Sequence, residues 1–254
     1  MADERLSFEG ATGNRLSARL SRPEEGAPAA YALFAHCFTC SKDLKPMVNI
    51  ARAMCARGIG VLRFDFTGIG ESEGDFADTD FSSNVGDLVA AASFMERELE
   101  APAVLVGHSL GGSAVLRAAA RIPAVRAVST IGAPFEPGHV RHLFAGSLDE
   151  IEERGKADVV LAGRRFTVTR DFIEDLQEHG MTDAIRDLGR PLLIFHSPAD
   201  RAVGIENAAR IYQAARHPKS FVSIDEADHL LLEERDSTFV ADVLAAWARR
   251  YIEP

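Results

Sequence analysis

The chain has 254 residues, 46% hydrophobic and 26% charged, enough to bury a sizeable core without a metal or disulfide to staple it. Its formal net charge of -10 is spread along the chain, which disfavours nucleic-acid phosphates and anionic lipid headgroups as partners. No apolar run nears the ~18 residues of a membrane span, and Met1 to Gly10 (MADERLSFEG) lacks the basic-then-apolar pattern of a secretory leader, so a cytoplasmic protein is expected.

Residues 1–22 read as two short strands turning at Gly13-Asn14, a favourable turn pair, and Arg22 to Ala30 (RPEEGAPAA) as a loop. From there strands and helices alternate. Tyr31–Ala35 is an apolar strand, Val48–Arg57 a helix stopped by Gly58, and Ile59–Phe66 (IGVLRFDF) the next strand. A long amphipathic helix over Asn84–Glu100 precedes the strand Ala103–Val106, an Ala-rich helix over Ser113–Arg121 and the strand Val125–Ile131. Near the end the rhythm resumes: strand Pro191–His196, helix Ile205–Ala215, strand Ser220–Ile224 and closing helix Ser237–Tyr251. Near-continuous apolar strands separated by helices predict a single α/β domain over residues 1–254, its mostly parallel sheet covered on both faces.

Between Gly132 and Arg190 the alternation breaks. A stretch this long is too much for an ordinary connection. It holds a Pro/Gly entry (APFEPG, 133–138), charged helical pieces and a hairpin in which Val159-Val160-Leu161 pairs with Phe166-Thr167-Val168 across Ala162-Gly163-Arg164. Such inserts commonly serve as lids or binding elements, so residues 133–190 are expected to form a small cap.

Gly107-His108-Ser109-Leu110-Gly111 fits G-x-S-x-G, with an apolar strand leading in and a small-residue helix leading out. The turn between them must be so tight that side chains flanking the serine collide, hence glycine at 107 and 111. It would lift the Ser109 hydroxyl clear of the sheet and set the Leu110 N–H at a helix start, where a developing oxyanion would sit. A serine hydroxyl needs a base. Of eight histidines, His229 in DEADHLL (225–231) follows the last strand and so reaches the carboxyl edge of the sheet, where open α/β sheets place their sites. His196 lies on a strand, His36 ends one, and His108 points to the other side of the turn. His139, His142, His179 and His217 read as surface residues, and the first two lack the further ligands a metal site needs, so no metal is expected. Asp200, after the strand Pro191–His196, is the expected partner that orients His229. Asp225 and Asp228 are rivals by adjacency alone.

The second oxyanion donor should come from the loop after an earlier strand. His36-Cys37-Phe38-Thr39 follows Tyr31–Ala35, which makes the Phe38 N–H the candidate. Cys37 and Cys40 have the spacing of a redox or zinc knuckle. No second cysteine pair exists to complete a zinc site, and the simplest expectation for Cys37, Cys40 and Cys55 is unpaired thiols in a reducing compartment. Gly68, Gly70 and Gly74 are spaced G-x-G-x-x-x-G, not as a dinucleotide loop, and read as a glycine-rich rim.

DFTGIGES (65–72), GHSLGG (107–112) and DEADH (225–229) resemble the α/β-hydrolase superfamily over nearly the whole chain. HCFTCSKD (36–43), FDFTGIGESEG (64–74) and HSPAD (196–200) look more narrowly like the hydrolase half of fused hydrolase–OsmC-like proteins. The resemblance stops at the closing helix, before any OsmC-like half, and carries hydrolase chemistry alone. It implies an α/β-hydrolase fold with an eight-stranded sheet, a Ser109–Asp200–His229 triad and an oxyanion hole at the Phe38 and Leu110 amides. The reading is a cofactor-free serine esterase taking a small-molecule ester of a small to medium acyl group, with Phe38, Leu143, Phe144, Phe166 and Phe172 lining the acyl site. Thioester or peptide hydrolysis by the same triad and a ligand-binding module with an idle triad are the alternatives. No nucleic-acid or membrane partner is expected, and the sequence does not specify an oligomeric state.

Overall fold

The first two strands, β1 (Ala2–Glu9) and β2 (Arg15–Arg22), form an antiparallel hairpin whose loop carries Gly13 at φ +82°, a conformation glycine adopts without a Cβ penalty. The computed structural model describes residues 2–161 and 163–252. On β2, Leu16, Ala18 and Leu20 are buried in alternation. β3 (Ala30–Ala35), β4 (Ile59–Phe64), β5 (Val104–His108), β6 (Ala127–Ile131) and, later, β9 (Leu192–His196) are buried at every position. Such strands follow from a sheet covered on both faces.

Among the described residues the main sheet has eight strands in the order β1-β2-β4-β3-β5-β6-β9-β10, where β10 spans Lys219–Ser223; only the β1–β2 and β2–β4 pairings are antiparallel. This is the α/β-hydrolase fold. Two apolar cores lie on opposite faces, as the two-residue period of a strand requires. Leu33 and Ala35 of β3 meet the first core, with α2 (Phe81–Glu98), α3 (Leu110–Ala118) and α7 (Glu206–Ala214). Ala32 and Phe34 meet the second, with α1 (Lys45–Cys55) and α8 (Glu234–Ile252).

Except at α7, helix starts fall earlier than the apolar pattern suggests. α2 begins at Phe81, three residues before the expected Asn84, because Asp80 caps it. The Asp80 carboxylate accepts from the Ser83 N–H at 2.6 Å, and the Ser83 hydroxyl receives the Asp80 N–H at 2.9 Å.

Between β6 and β9 lie a 3-10 run (Pro137–Ser147), α4 (Leu148–Arg154), the hairpin β7 (Lys156–Leu161) with β8 (Arg164–Thr169), α5 (Arg170–Glu178) and α6 (Met181–Arg186). The pairing Val159↔Phe166 is the expected one, but the loop is tighter, since Arg164 already pairs with Leu161. Ala162 lies outside the described residues. Phe144, Phe166 and Phe172 of this segment bury their rings against Phe38 and Phe76, which belong to the loops after β3 and β4. α6 instead packs against α3 and α7, in the helical layer over the sheet.

The sheet order has one functional consequence. The chain passes from β3 outward to β4 and then returns to β5 on the other side of β3. The loops leaving β3 and β5 therefore diverge at a topological switch point, where open α/β sheets open a crevice.

Candidate active site

Ser109 sits at that point, between β5 and α3, with φ +54° and ψ -128°. A side chain at positive φ stores strain of about 1–3 kcal/mol, which the surroundings must hold in place. Here the Ser109 N–H donates to the Ile131 carbonyl at 2.9 Å, and the Gly112 N–H donates to the Ser109 carbonyl at 2.8 Å. The flanking glycines are required by contact. A Cβ on Gly107 would drive into the Gly111 backbone, and one on Gly111 would stand 2.5 Å from the His36 carbonyl oxygen.

His229 Nε2 lies 3.0 Å from Ser109 Oγ, and its Nδ1 lies 2.7 Å from Asp200 Oδ2. Residues 120 and 29 positions from His229 thus converge on one imidazole. The His229 loop is itself held in an uncommon shape, with Glu226 at φ +64° and Leu231 at φ +58°. The other oxygen of Asp200 accepts the Ala202 and Val203 N–H groups, both at 2.9 Å. Burial pushes the Asp200 carboxyl up, but the His229 hydrogen bond and charge and these two amides outweigh it and hold the carboxyl below its usual range.

The rival residues are otherwise engaged. Asp225 accepts from the Ser223 hydroxyl at 2.7 Å, and Asp228 from the Leu230 N–H at 2.8 Å, closing local turns. His196 Nε2 donates to the Val203 carbonyl at 2.8 Å, and His36 Nδ1 to the Cys37 carbonyl at 2.7 Å. His139 donates to the Ala202 carbonyl at 3.1 Å, and His142 to the His139 carbonyl at 2.6 Å. His179 meets Asp175 and Ser82.

The Phe38 and Leu110 residues line one cavity of about 10 Å³, room for about one water molecule, together with His36, Gly111 and Ala114. Among the described residues neither the Phe38 nor the Leu110 N–H has a protein acceptor. The loop between them and α1 is tied down at its far end. Lys42, 1% exposed, gives its N–H to Asp65 Oδ1 and its ammonium to Asp65 Oδ2, both at 2.7 Å, and reaches Glu71 at 2.8 Å. Arg63 Nη1 donates to the Lys42 carbonyl at 2.6 Å. Gly70, in the glycine-rich loop, sits at φ +61° with the Asp65 carboxylate where a Cβ would be, so this glycine makes room for an ion pair.

Four of the five expected acyl-site residues, Phe38, Phe144, Phe166 and Phe172, pack as one aromatic group, with Phe38 at 5.3 Å from Phe172 and 5.8 Å from Phe144. Leu143 does not join them. It is 43% exposed, because the helical turn that buries its neighbour Phe144 rotates Leu143 outward. The expectation of three unpaired thiols is also overturned. Cys37 and Cys40 are joined by a disulfide, their Cα atoms 5.3 Å apart, and Cys55 alone is free and buried.

Two contacts at the site were not legible in the sequence. His108 is fully buried and donates from Nε2 to the His229 carbonyl at 2.7 Å, its ring 5.0 Å from that of His229. Gly132, at φ +56° just after β6, leaves a space in which a Cβ would stand 3.2 Å from Asp200 Oδ2 and 3.4 Å from His229 Nδ1. The only signal for either was adjacency, to the nucleophile elbow and to a strand end.

Residues 32–243 match the family model described as the alpha/beta hydrolase family. The chain belongs to that family. Among solved structures, this alpha/beta hydrolase is 50% identical to the esterase domain of a Rhodothermus marinus protein, with a TM-score of 0.81 over 99% of this chain and all of that one. Est1E of Butyrivibrio proteoclasticus, solved with ferulic acid bound, shares the fold at 20% identity and a TM-score of 0.79, over 97% of this chain and 99% of its own. Among curated proteins, the mitochondrial palmitoyl-protein thioesterase ABHD10 of Mus musculus is 26% identical over 187 residues, 70% of this chain. The match spans 62% of that mouse protein and 66% of its Rattus norvegicus counterpart. No helix among the described residues is long and apolar enough to cross a membrane.

Proposed function

We propose that this alpha/beta hydrolase is a serine esterase that cleaves carboxylic esters of small to medium acyl groups through an acyl-enzyme. The observation that carries the reading is the continuous line Asp200–His229–Ser109, at 2.7 and 3.0 Å, with His229 bonded through both ring nitrogens. Ser109 Oγ attacks the acyl carbon while His229 Nε2 takes its proton. The carbonyl electrons move onto oxygen, where the Phe38 and Leu110 amides receive them. His229 then protonates the leaving alkoxide, and the acyl group stays on Ser109. A water molecule repeats the sequence: His229 takes its proton, the hydroxide adds, and Ser109 leaves reprotonated. A general base of this kind supplies about 10²–10⁴ in rate and one oxyanion donor about 10²–10³. The 50% identity to an esterase domain supports the ester as substrate.

A second reading is favoured by a separate observation. The 26% identity to a palmitoyl-protein thioesterase raises thioester hydrolysis, for which the same triad suffices because it does not distinguish leaving groups. p-Nitrophenyl esters of graded chain length, run beside acyl-thioesters with Ser109→Ala as control, test both. The proposal expects the highest kcat/KM on short esters and loss of turnover in the variant with its fold retained. Preference for long acyl-thioesters would move the protein to the second reading. Near-wild-type turnover by folded Ser109→Ala would remove Ser109 from the chemistry.

A further inference from the structure

The Cys37–Cys40 pair plays no part in the chemistry above, yet it encloses Phe38, whose amide is one of the two oxyanion donors assigned there. We propose that Cys37 and Cys40 form a reversible thiol–disulfide site that sets how firmly the Phe38 amide is held, and with it the rate of acyl transfer. The inference rests on the oxyanion role given to Phe38.

The restraints on the loop divide it into fixed ends and a freer middle. His36 is pinned through Nδ1 to the Cys37 carbonyl and through Nε2, which accepts the Phe66 N–H at 3.4 Å. Lys42 is pinned by Asp65 and Arg63. Between them, the backbone is closed by one hydrogen bond, from the Cys40 N–H to the Cys37 carbonyl at 3.1 Å, and by the disulfide across the same four residues. Opening the disulfide leaves the two hydrogen bonds on the Cys37 carbonyl, from the Cys40 N–H and from His36 Nδ1, and the seating of the Phe38 ring to hold the amide. An oxyanion donor contributes through preorganisation, so a looser loop lowers the rate of the chemical steps rather than substrate affinity.

The pair is also arranged for exchange. Cys40 is partly exposed, whereas Cys37 is buried, so an incoming thiolate reaches Cys40 Sγ. Attack by a dithiol forms a mixed disulfide at Cys40 and expels Cys37 as a thiolate, which takes up a proton. The second thiol of the reductant then displaces Cys40, which leaves as a thiol. The protein gains two electrons and two protons, and the dithiol becomes a disulfide. Cys55 stands outside this exchange, buried, with its thiol pushed up to about 11.

The test compares air-oxidised protein, protein reduced with dithiothreitol and desalted, Cys40→Ser and Cys55→Ala, with free thiols counted by maleimide mass shift. Amide hydrogen exchange over residues 36–44 reads the loop, and kcat and KM on p-nitrophenyl acetate read the coupling. Reduction should release two thiols, speed exchange in that segment and lower kcat about three- to tenfold, part of what one donor supplies, with KM within about twofold. Cys40→Ser should match the reduced form and ignore dithiothreitol, while Cys55→Ala should respond as the wild type does. Unchanged exchange and kcat after verified release of two thiols would overturn the proposal, as would failure of the pair to join under oxidised glutathione. Absence of ester turnover in every form would instead count against the esterase reading, and the exchange data would still decide whether the disulfide governs the loop.

Discussion

The two oxygens of Asp200 have separate tasks: Oδ2 meets His229 Nδ1, and Oδ1 is fixed by the Ala202 and Val203 amides. An amide at position 200 keeps the volume but presents an N–H or a neutral oxygen where, in the proposed mechanism, a carboxylate stabilises the imidazolium. Asp200→Asn is therefore expected to lower kcat by a factor approaching ~10⁴. Asp225→Asn and Asp228→Asn should cost far less, since those carboxylates cap local turns. Steady-state kinetics on the three variants decides the matter, and a larger loss at Asp228 than at Asp200 would transfer the role. His108 is a positioning residue of a different kind, acting on the backbone of His229 rather than on its ring. His108→Phe should lower kcat by about tenfold with little change in KM, the size of one lost buried hydrogen bond of about 1–1.5 kcal/mol. His108→Gln, which keeps a donor, should recover part of the loss, and no difference between the two variants would show that packing alone matters there.

Among the elements, the segment between β6 and β9 carries the prediction about selectivity. Phe144 and Phe172 are each 1% exposed and pack on Phe38, whose amide neighbours the reacting carbonyl in the proposed mechanism. Phe144→Ala should shift kcat/KM toward butyrate over acetate esters by the worth of one methylene, about 1–3 kcal/mol or less. It should also destabilise the protein by about 3–5 kcal/mol, so thermal melts must accompany the kinetics. An unchanged chain-length profile in folded variant would show that this segment does not select the acyl group. What was legible in the sequence at this scale was whatever local pattern controls. The apolar runs gave the strands, and the glycine-flanked serine gave the elbow. Asp200 and His229 showed because each lies in the loop that follows a strand. Less legible were features made by contact across the chain: the Lys42–Asp65 pair, the tie from His108 to His229, and the outward turn of Leu143. The start of α2 was missed because its capping box uses Ser83 where Glu or Gln is the usual signal. The Cys37–Cys40 pairing was missed because composition and expected compartment argued for free thiols, whereas the turn itself brings the two Cα atoms within disulfide range.

The whole molecule keeps three histidines, His36, His108 and His196, inside the fold, and burial holds each ring below its ordinary value, His108 at about 3. The unfolded chain binds protons at these positions below about pH 6.5, where the folded protein resists them. Their contribution to stability is therefore present above pH 6.5 and lost as pH falls toward the lowered native values, by up to about 1.4 kcal/mol per pH unit for each ring. Urea unfolding at pH 7 and pH 5 should show a much lower midpoint at pH 5, and equal midpoints would contradict neutral burial of these rings. The central claim, that the molecule converges on one activated serine, has a more direct test. A fluorophosphonate probe reacts only where a serine is deprotonated by its base beside oxyanion donors, so the native protein should gain one adduct, mapped by peptide mass to Ser109. Ser109→Ala should gain none, and Asp200→Asn should label far more slowly. Native, folded protein that stays unlabelled, or an adduct on any other residue, would contradict the account.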